Sequence, residues 1–183
     1  MKQNIALCVV LATVAALAGE LTADVDSAAS KATLPSPERA RVAFERYKSL
    51  AGDWSGASSE GWKDQVRYET IARQSVVMQT SLFEAHPGET MVTMIHLHEG
   101  QLMLTHYCVA GNQPRLVASA INADASEITF TYKDGTGLAT RAEGHMDKAV
   151  IRFSADDVIT SRWTWYQDGQ ESWMEEIRLE RED

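Results

Sequence analysis

The chain has little cysteine and no long apolar run after its N-terminus. Only two of its 183 residues are cysteine, and Cys8 lies in the N-terminal apolar stretch, so the mature domain has no intramolecular disulfide. About 145 ordered residues are enough to hold together by a hydrophobic core alone. Positive charge is also scarce, with 17 Lys and Arg against 26 Asp and Glu and a net charge of -9. This balance argues against nucleic acid and against anionic membrane surfaces as partners.

The first 18 residues have the pattern of a secretory signal peptide. Lys2 supplies a positive charge, and an apolar run of about thirteen residues, Ile5 to Leu17, is too short to span a bilayer. Ala16-Leu17-Ala18 is typical of a cleavage site, and an uncleaved N-terminal anchor is the alternative. We therefore expect export to a bacterial periplasm or beyond, with cleavage near Ala18 and no membrane insertion afterwards.

Residues 19–35 and the segment after them differ in pattern. Residues 19–35 are rich in Ala, Ser, Thr and Asp without a period, which predicts a disordered linker. Ser36-Pro37-Glu38 then predicts a helix start, with a capping serine and a proline at the first helical position. The helix is predicted to run for about four turns and to end at Gly52. Its apolar face at helical spacing consists of Ala40, Ala43, Phe44, Tyr47 and Leu50.

After Gly52 the chain is predicted to consist of antiparallel strands. Turn signals recur at roughly eight to twelve residues, and apolar and polar side chains alternate between them. We predict an all-β domain over residues 36–183, in which nine or ten strands close into an up-and-down barrel. Closure removes exposed sheet edges, and a sandwich is the alternative. The predicted turns are Glu60-Gly61, Ala72-Arg73, Pro87-Gly88, Glu99-Gly100, Gly111-Asn112, Asp124-Ala125, Asp134-Gly135, Asp156-Asp157 and Asp168-Gly169.

A Leu-x-Gly-x-Trp-x-Gly string, residues 50–56, follows a short helix at the start of the first strand. It is similar to the opening of lipocalin-like (calycin) barrels, and residues 163–181 are similar to the final hairpin of the nitrobindin-like group. Residues 104–115 resemble a group of uncharacterised secreted bacterial proteins. The resemblance implies a cup for a small apolar or amphipathic molecule and, in the nitrobindin branch, haem held by a late histidine. The last histidine here is His145, two strands too early, so no cofactor is predicted.

The segment from Met91 to Arg115 holds three of the five histidines. A two-residue turn at Glu99-Gly100 puts His106 and Cys108 on the more apolar face, which we assign to the barrel interior. His96 and His98 share a face at a spacing that suits zinc, but in this register His106 lies on the opposite one. A three-residue loop would bring His96 to the face of His106. We therefore predict no metal site. If one exists, the candidate ligands are His96, His98 and His106.

Four further features are candidates for a site. Cys108 and His106 are about 6–7 Å apart on one strand, too far for direct proton transfer. The Asn112-Gln113-Pro114-Arg115 corner has two interpretations, a turn that satisfies backbone groups or a rim that binds a carboxylate or carbonyl through Arg115. Glu175 shares its predicted inward face with Trp173, where burial would raise the pKa of an acid without a partner. Arg67 or Arg152 is the predicted partner, and the alternative is that Glu175 lies in solvent near the end of the barrel. Trp163, Trp165 and Trp173 are either core or part of an apolar pocket lining.

These observations favour a secreted protein that binds a small hydrophobic or amphipathic molecule in its cup. The alternatives are an acid–base enzyme that uses His106 with Tyr107 or Glu175, a haem or metal carrier, and a structural module with a filled core. The sequence has no nucleophile elbow, no phosphate loop and no paired carboxylates at a telling spacing, so an enzyme is less favoured. The predicted ligand-binding residues are His106, Cys108, Asn112, Gln113, Arg115, Trp163, Trp165 and Trp173.

Overall fold

A computed structural model describes residues 34–155 and 157–183, apart from the side chain of Ala155. The predicted signal peptide and all but the last two residues of the predicted linker therefore lie outside the described residues. Within the described ranges, no helix is both long enough and apolar enough to cross a membrane.

The predicted helix is confirmed as α1, Pro37–Lys48, and the Ser36 hydroxyl accepts a hydrogen bond from the Arg39 backbone N–H at 3.3 Å. All five predicted apolar-face residues are buried. The predicted end at Gly52 is wrong. The helix stops after 12 residues with Ser49 as its C-terminal cap, because Leu50 turns to bond back to the Tyr47 carbonyl. Gly52, with φ at +129°, instead begins the first strand.

Ten antiparallel strands follow in the described residues and close into a barrel. Each strand pairs with the next along the chain, and the last pairs with the first, which confirms the predicted barrel and excludes the sandwich. The strands are β1 Gly52–Ser58, β2 Lys63–Ile71, β3 Val76–Phe83, β4 Met91–His98, β5 Gln101–Tyr107, β6 Gln113–Ile121, β7 Glu127–Thr136, β8 His145–Ala155, β9 Val158–Gln167 and β10 Gln170–Arg181.

One predicted turn is not a turn, and Asp156 of the predicted Asp156-Asp157 turn lies outside the described residues. Asp134-Gly135 lies inside β7, where Asp134 is opposite Arg115 and Gly135 is opposite Pro114 of β6. The strand continues because these residues still have partners in the sheet. It ends at Thr136, just before Gly137, which has a φ of +71°.

The turn between β4 and β5 sets the register that matters for the interior. Glu99 and Gly100 have φ values of 49° and 76°, the left-handed pair of a two-residue hairpin turn. Thr93 is consequently opposite His106, as the two-residue turn predicts.

Helix α1 covers one end of the barrel, here called the floor. A Cβ added to Gly100 would lie 3.0 Å from Pro37, so the β4–β5 turn lies directly against the helix. Arg39 donates to the Ile121 carbonyl at 3.2 Å, at the end of β6. The buried Trp54 indole donates to the Leu50 carbonyl at 2.8 Å and joins the helix to β1. The opposite end, formed by the β1–β2, β3–β4, β5–β6, β7–β8 and β9–β10 loops, is the open end.

Candidate ligand-binding cavity

The barrel encloses a cavity of about 690 Å³. Its wall is made by inward side chains of β2–β5 and β8–β10, and Tyr47 of α1 contributes to the floor. Loop residues of the open end, among them Glu89 and Val109, form its upper rim. Pockets for small molecules have volumes of about 300–1,000 Å³, so this space suits a ligand of that size.

His106 is the histidine that faces the cavity, as predicted. It is 6 % exposed, its Nδ1 shares a 3.0 Å hydrogen bond with the Thr93 hydroxyl, and its ring packs 5.2 Å from that of Trp163. Its Nε2 is buried without a hydrogen-bond partner among the described residues. Burial lowers the pKa of His106 to about 4, so the imidazole is neutral at pH 7. A neutral ring with one free nitrogen offers a ligand one hydrogen bond.

Two carboxyl groups share the same wall. Asp64 of β2 is buried, and its Oδ1 accepts a 2.7 Å hydrogen bond from Ser81 of β3. Glu175 of β10 also lines the cavity, and its Oε2 is buried without a partner among the described residues. Burial raises the pKa of Asp64, and the nearby Glu175 carboxylate raises it further, against the Ser81 hydrogen bond. The two acids therefore form one electrostatic site.

Sequence reasoning missed Asp64, although β2 contains a usable signal. Asp64 alternates with Val66 and Tyr68, all three buried on the inward face of that strand. Because side chains alternate between the two faces of a strand, an acid two residues before Val66 lies on the same face as Val66 and Tyr68. The spacing of 111 residues to Glu175 hides the pair, because the two residues approach only when barrel closure pairs β10 with β1, the strand that also pairs with β2.

No Lys or Arg lines the cavity within the described part of the chain. The predicted arginine partners of Glu175 are wrong, because Arg67 pairs with Asp53 at 2.8 Å and Arg152 with Glu127 at 2.6 Å. The haem that the nitrobindin-like resemblance implies would find no Lys or Arg in the described lining. Its two propionates are anionic, and the described wall offers acids and no cation to pair with them.

Two of the three predicted tryptophans face the cavity. Trp163 and Trp165 of β9 line it, but Trp173 points outward and is 46 % exposed. The physical reason is an irregularity in the β9–β10 register between Trp173 and Glu176, which shifts the alternation so that the neighbouring Ser172 and Met174 face inward. On the outer surface the Trp173 ring lies under the Arg162 guanidinium, 4.3 Å from its centroid.

Cys108 lines the cavity, but the polar corner that follows it does not. Burial raises the pKa of the Cys108 thiol, which disfavours a thiolate. Asn112 donates to the Gly144 carbonyl at 2.9 Å, and Gln113 accepts from the Thr136 hydroxyl at 2.8 Å. Arg115 pairs with Asp134 on the neighbouring strand and not with an acid across the barrel mouth. These contacts match the structural interpretation of the corner.

The other candidate side chains of the hairpin, His96, His98 and Tyr107, do not line the cavity. Tyr107 is 46 % exposed on the outer face, so the predicted pairing of Tyr107 with His106 inside the cup is wrong. His106 is directly opposite Thr93, so these two side chains share a face. His96 is three residues from Thr93 on the same strand, and since side chains alternate between faces, His96 lies on the other face. Within the described residues no group of three or more His, Cys, Asp or Glu side chains is close enough to hold a metal ion.

A second buried histidine, His145, lies in the barrel wall near the open end, and sequence reasoning missed its role. Arg141 donates to its Nε2, so Nδ1 carries the proton and donates to the Glu143 carbonyl at 2.6 Å. Arg141 also pairs with Asp147. The Arg141 guanidinium lies 4.2 Å and 3.7 Å from the ring centroids of Tyr132 and Tyr166. This cluster attaches the β7–β8 loop to the wall.

Comparison with known proteins shows little. No protein-family model matches the chain, and no curated protein is similar to it. Among solved structures, a DUF3598-family protein of unknown function from Nostoc punctiforme is similar, with 10 % identity and a TM-score of 0.48. The match covers 74 % of this chain and 49 % of that one, so the chain spans about half the length of that structure.

Proposed function

We propose that this protein binds a small hydrophobic or amphipathic molecule inside the barrel, the function that the lipocalin-like resemblance implies. The observation that carries the proposal is a cavity of about 690 Å³ whose wall contains two buried polar atoms, His106 Nε2 and Glu175 Oε2, that have no partner in the described part of the chain. An unsatisfied buried polar group costs about 1–3 kcal/mol. A bound molecule that hydrogen-bonds to these atoms removes that cost.

The surrounding wall supports an apolar body for the ligand. Side chains from five strands supply an aliphatic surface between the middle of the barrel and the floor, and Trp163 adds an aromatic wall beside His106. A mostly apolar lining with a few convergent polar groups is the usual composition of a small-molecule pocket. The aliphatic residues are Ile95, Leu104, Ile151, Ile159 and Leu179.

The test is a titration with N-phenylnaphthylamine, a neutral dye whose fluorescence rises in apolar sites. We expect saturable binding of one dye per chain. Ser161→Phe, which fills the cavity, should weaken binding by at least about tenfold. Thr160→Phe, one residue away on the outer face, is the matched control and should bind as the wild type does. Equal binding by both folded variants, or no binding by the wild type, would contradict the proposal.

A second candidate function is acid–base catalysis on the bound molecule. The observation that favours it is a neutral His106 in the same cavity as Asp64, whose pKa is raised by burial. The pKa of Asp64 is moved towards neutral pH, which suits proton transfer, and the neutral His106 ring can accept a hydrogen bond or a proton from the bound molecule. Deuterium exchange into a bound carbonyl compound, seen by NMR and lost in His106→Gln, would support it. A wild-type protein that binds the compound without exchange supports binding alone.

A further inference from the structure

We propose that the ligand is a cationic amphiphile, whose protonated amine binds between Asp64 and Glu175 and whose apolar part extends towards the floor. This inference rests on the proposed function, because it specifies the class of molecule that the cavity accepts. It depends on the charge of the wall and on the position of the unpartnered polar atoms.

The described wall carries carboxylic acids and neither Lys nor Arg. Its carboxylic acids are Asp64, Glu89 and Glu175, and its imidazoles are His86 and His106. A carboxylate ligand would place a third negative charge beside Asp64 and Glu175 with no cation to compensate it. Such like-charge juxtaposition is a common way in which sites reject a ligand. A cation of the same shape gains attraction from the same groups.

The hydrogen-bonding pattern of the acid pair also fits an ammonium group. An ammonium has three N–H donors and no acceptor, so it needs several acceptors close together. Glu175 Oε2 has no partner among the described residues, and Asp64 has one of its oxygens engaged by Ser81. A bound cation between the two carboxylates also removes the repulsion that disfavours ionising both.

His106 gives an independent indication of a polar ligand. Its side chain is more than nine-tenths buried, lines the same cavity and leaves Nε2 without a partner among the described residues. Because the ring is neutral at pH 7, it does not repel a cation. It therefore offers a second polar contact, such as a hydroxyl or a further N–H of the ligand, on the β5 side of the wall.

The geometry also separates a polar region from an apolar one. Asp64 is the second residue of β2, and β2 begins at the open end. Ile159 and Leu179 lie close to the floor ends of β9 and β10. An amphiphile would therefore place its amine in the upper half of the barrel and its hydrocarbon chain below it.

The test is competition against N-phenylnaphthylamine by three probes with the same chain: dodecylamine, dodecanol and dodecanoate, each below its micelle concentration at neutral pH. We expect dodecylamine to displace the dye at a concentration at least about tenfold lower than dodecanoate does, with dodecanol between them. Asp64→Asn and Glu175→Gln, separately and together, should remove the preference for the amine over dodecanoate.

Glu127→Gln is the matched control, because it removes one negative charge from the outer face, where Glu127 pairs with Arg152. It should leave the amine preference intact. If the three probes compete equally, or if the preference persists in the folded Asp64→Asn and Glu175→Gln variants, the inference is overturned while the proposed function stands. If neither the dye nor any probe binds, the proposed function fails as well.

Discussion

Two buried histidines of this barrel differ in what surrounds them. His145 is fully buried and has both ring nitrogens engaged, one by Arg141 and the other by the Glu143 carbonyl. His106 is almost as buried, yet among the described residues only its Nδ1 has a partner, the Thr93 hydroxyl. The first is a satisfied structural group in the wall. The second faces a cavity with a free nitrogen, which is the condition expected of a binding site.

The aromatic neighbours of the two rings support the same distinction. The His145 ring lies 4.7 Å from Tyr132 and 5.4 Å from Tyr166, and both tyrosines also stack on Arg141. These groups form a closed cluster. Within the described ranges the His106 ring has one aromatic neighbour, Trp163, and that ring also lines the cavity. Burial alone therefore does not distinguish a structural histidine from a site histidine, whereas a complete set of partners does.

The largest effect is expected from His145→Leu. The substitution removes two hydrogen bonds, one of them to a guanidinium, and leaves the Glu143 carbonyl and Arg141 without this partner. We expect the free energy of unfolding to fall by about 4 kcal/mol in urea denaturation. Dye binding by the folded fraction should be unchanged. A loss below about 1 kcal/mol would show that His145 is not the structural group described.

The pH dependence of stability should come largely from His106. The pKa of His106 is about 4 in the folded protein, whereas the ordinary histidine value of 6.5 applies to the unfolded chain. Between these two pH values the unfolded chain binds a proton that the folded chain does not. The free energy of unfolding should therefore fall by about 3 kcal/mol between about pH 7 and about pH 4. The raised pKa of Asp64 acts in the opposite sense, since its contribution is lost as pH rises.

His106→Gln isolates this contribution. Urea denaturation of the wild type and the variant at both pH values should show a smaller loss for the variant. The described groups next to the ring, Thr93 and Trp163, do not titrate in this range, so they do not obscure the comparison. The same loss in both proteins would contradict the neutral, buried state of His106.

The same substitution at the two histidines should have opposite effects. His106→Leu removes a buried nitrogen without a partner and fills the wall with apolar surface, so we expect the protein to gain about 1 kcal/mol. His145→Leu is its matched counterpart and should lose stability. The measurement is the urea midpoint of both variants under the same conditions. A destabilised His106→Leu would mean that the Thr93 contact matters more than the free nitrogen.

The smallest effect is expected at the polar corner. Asp134→Asn breaks the pair with Arg115, but both side chains are about half exposed. Exposed ion pairs contribute about 0–1 kcal/mol, so the free energy of unfolding should change by less than about 0.5 kcal/mol. Dye binding should also be unchanged. Weakened dye binding in this variant would indicate that Arg115 contacts the ligand.

Local patterns predicted the elements of this fold well. The capping serine and the apolar face identified α1, and the Glu99-Gly100 turn gave the register that points His106 inward. These signals depend on residues a few positions apart, so a single sequence contains them. The end of α1 was harder to predict, because Gly52 begins the first strand and does not cap the helix.

The polar half of the site was less predictable. Asp64 and Glu175 come together only when the barrel closes, and a register irregularity in β10 turns Trp173 outward. Arg115 was expected at the mouth, but its partner Asp134 lies on the adjacent strand, in what was predicted to be a turn. Each error concerns a relationship between strands, which the spacing within one strand does not reveal.

The most direct test of a ligand inside the barrel is a crystal structure with dodecylamine that carries bromine at its far end. Anomalous scattering locates the bromine independently of the surrounding density. We predict one bromine peak inside the barrel between Tyr47 and Ile95, with the amine nitrogen at Asp64 and Glu175. A peak on the outer surface, such as beside Trp173, with an interior free of ligand density, would contradict this account.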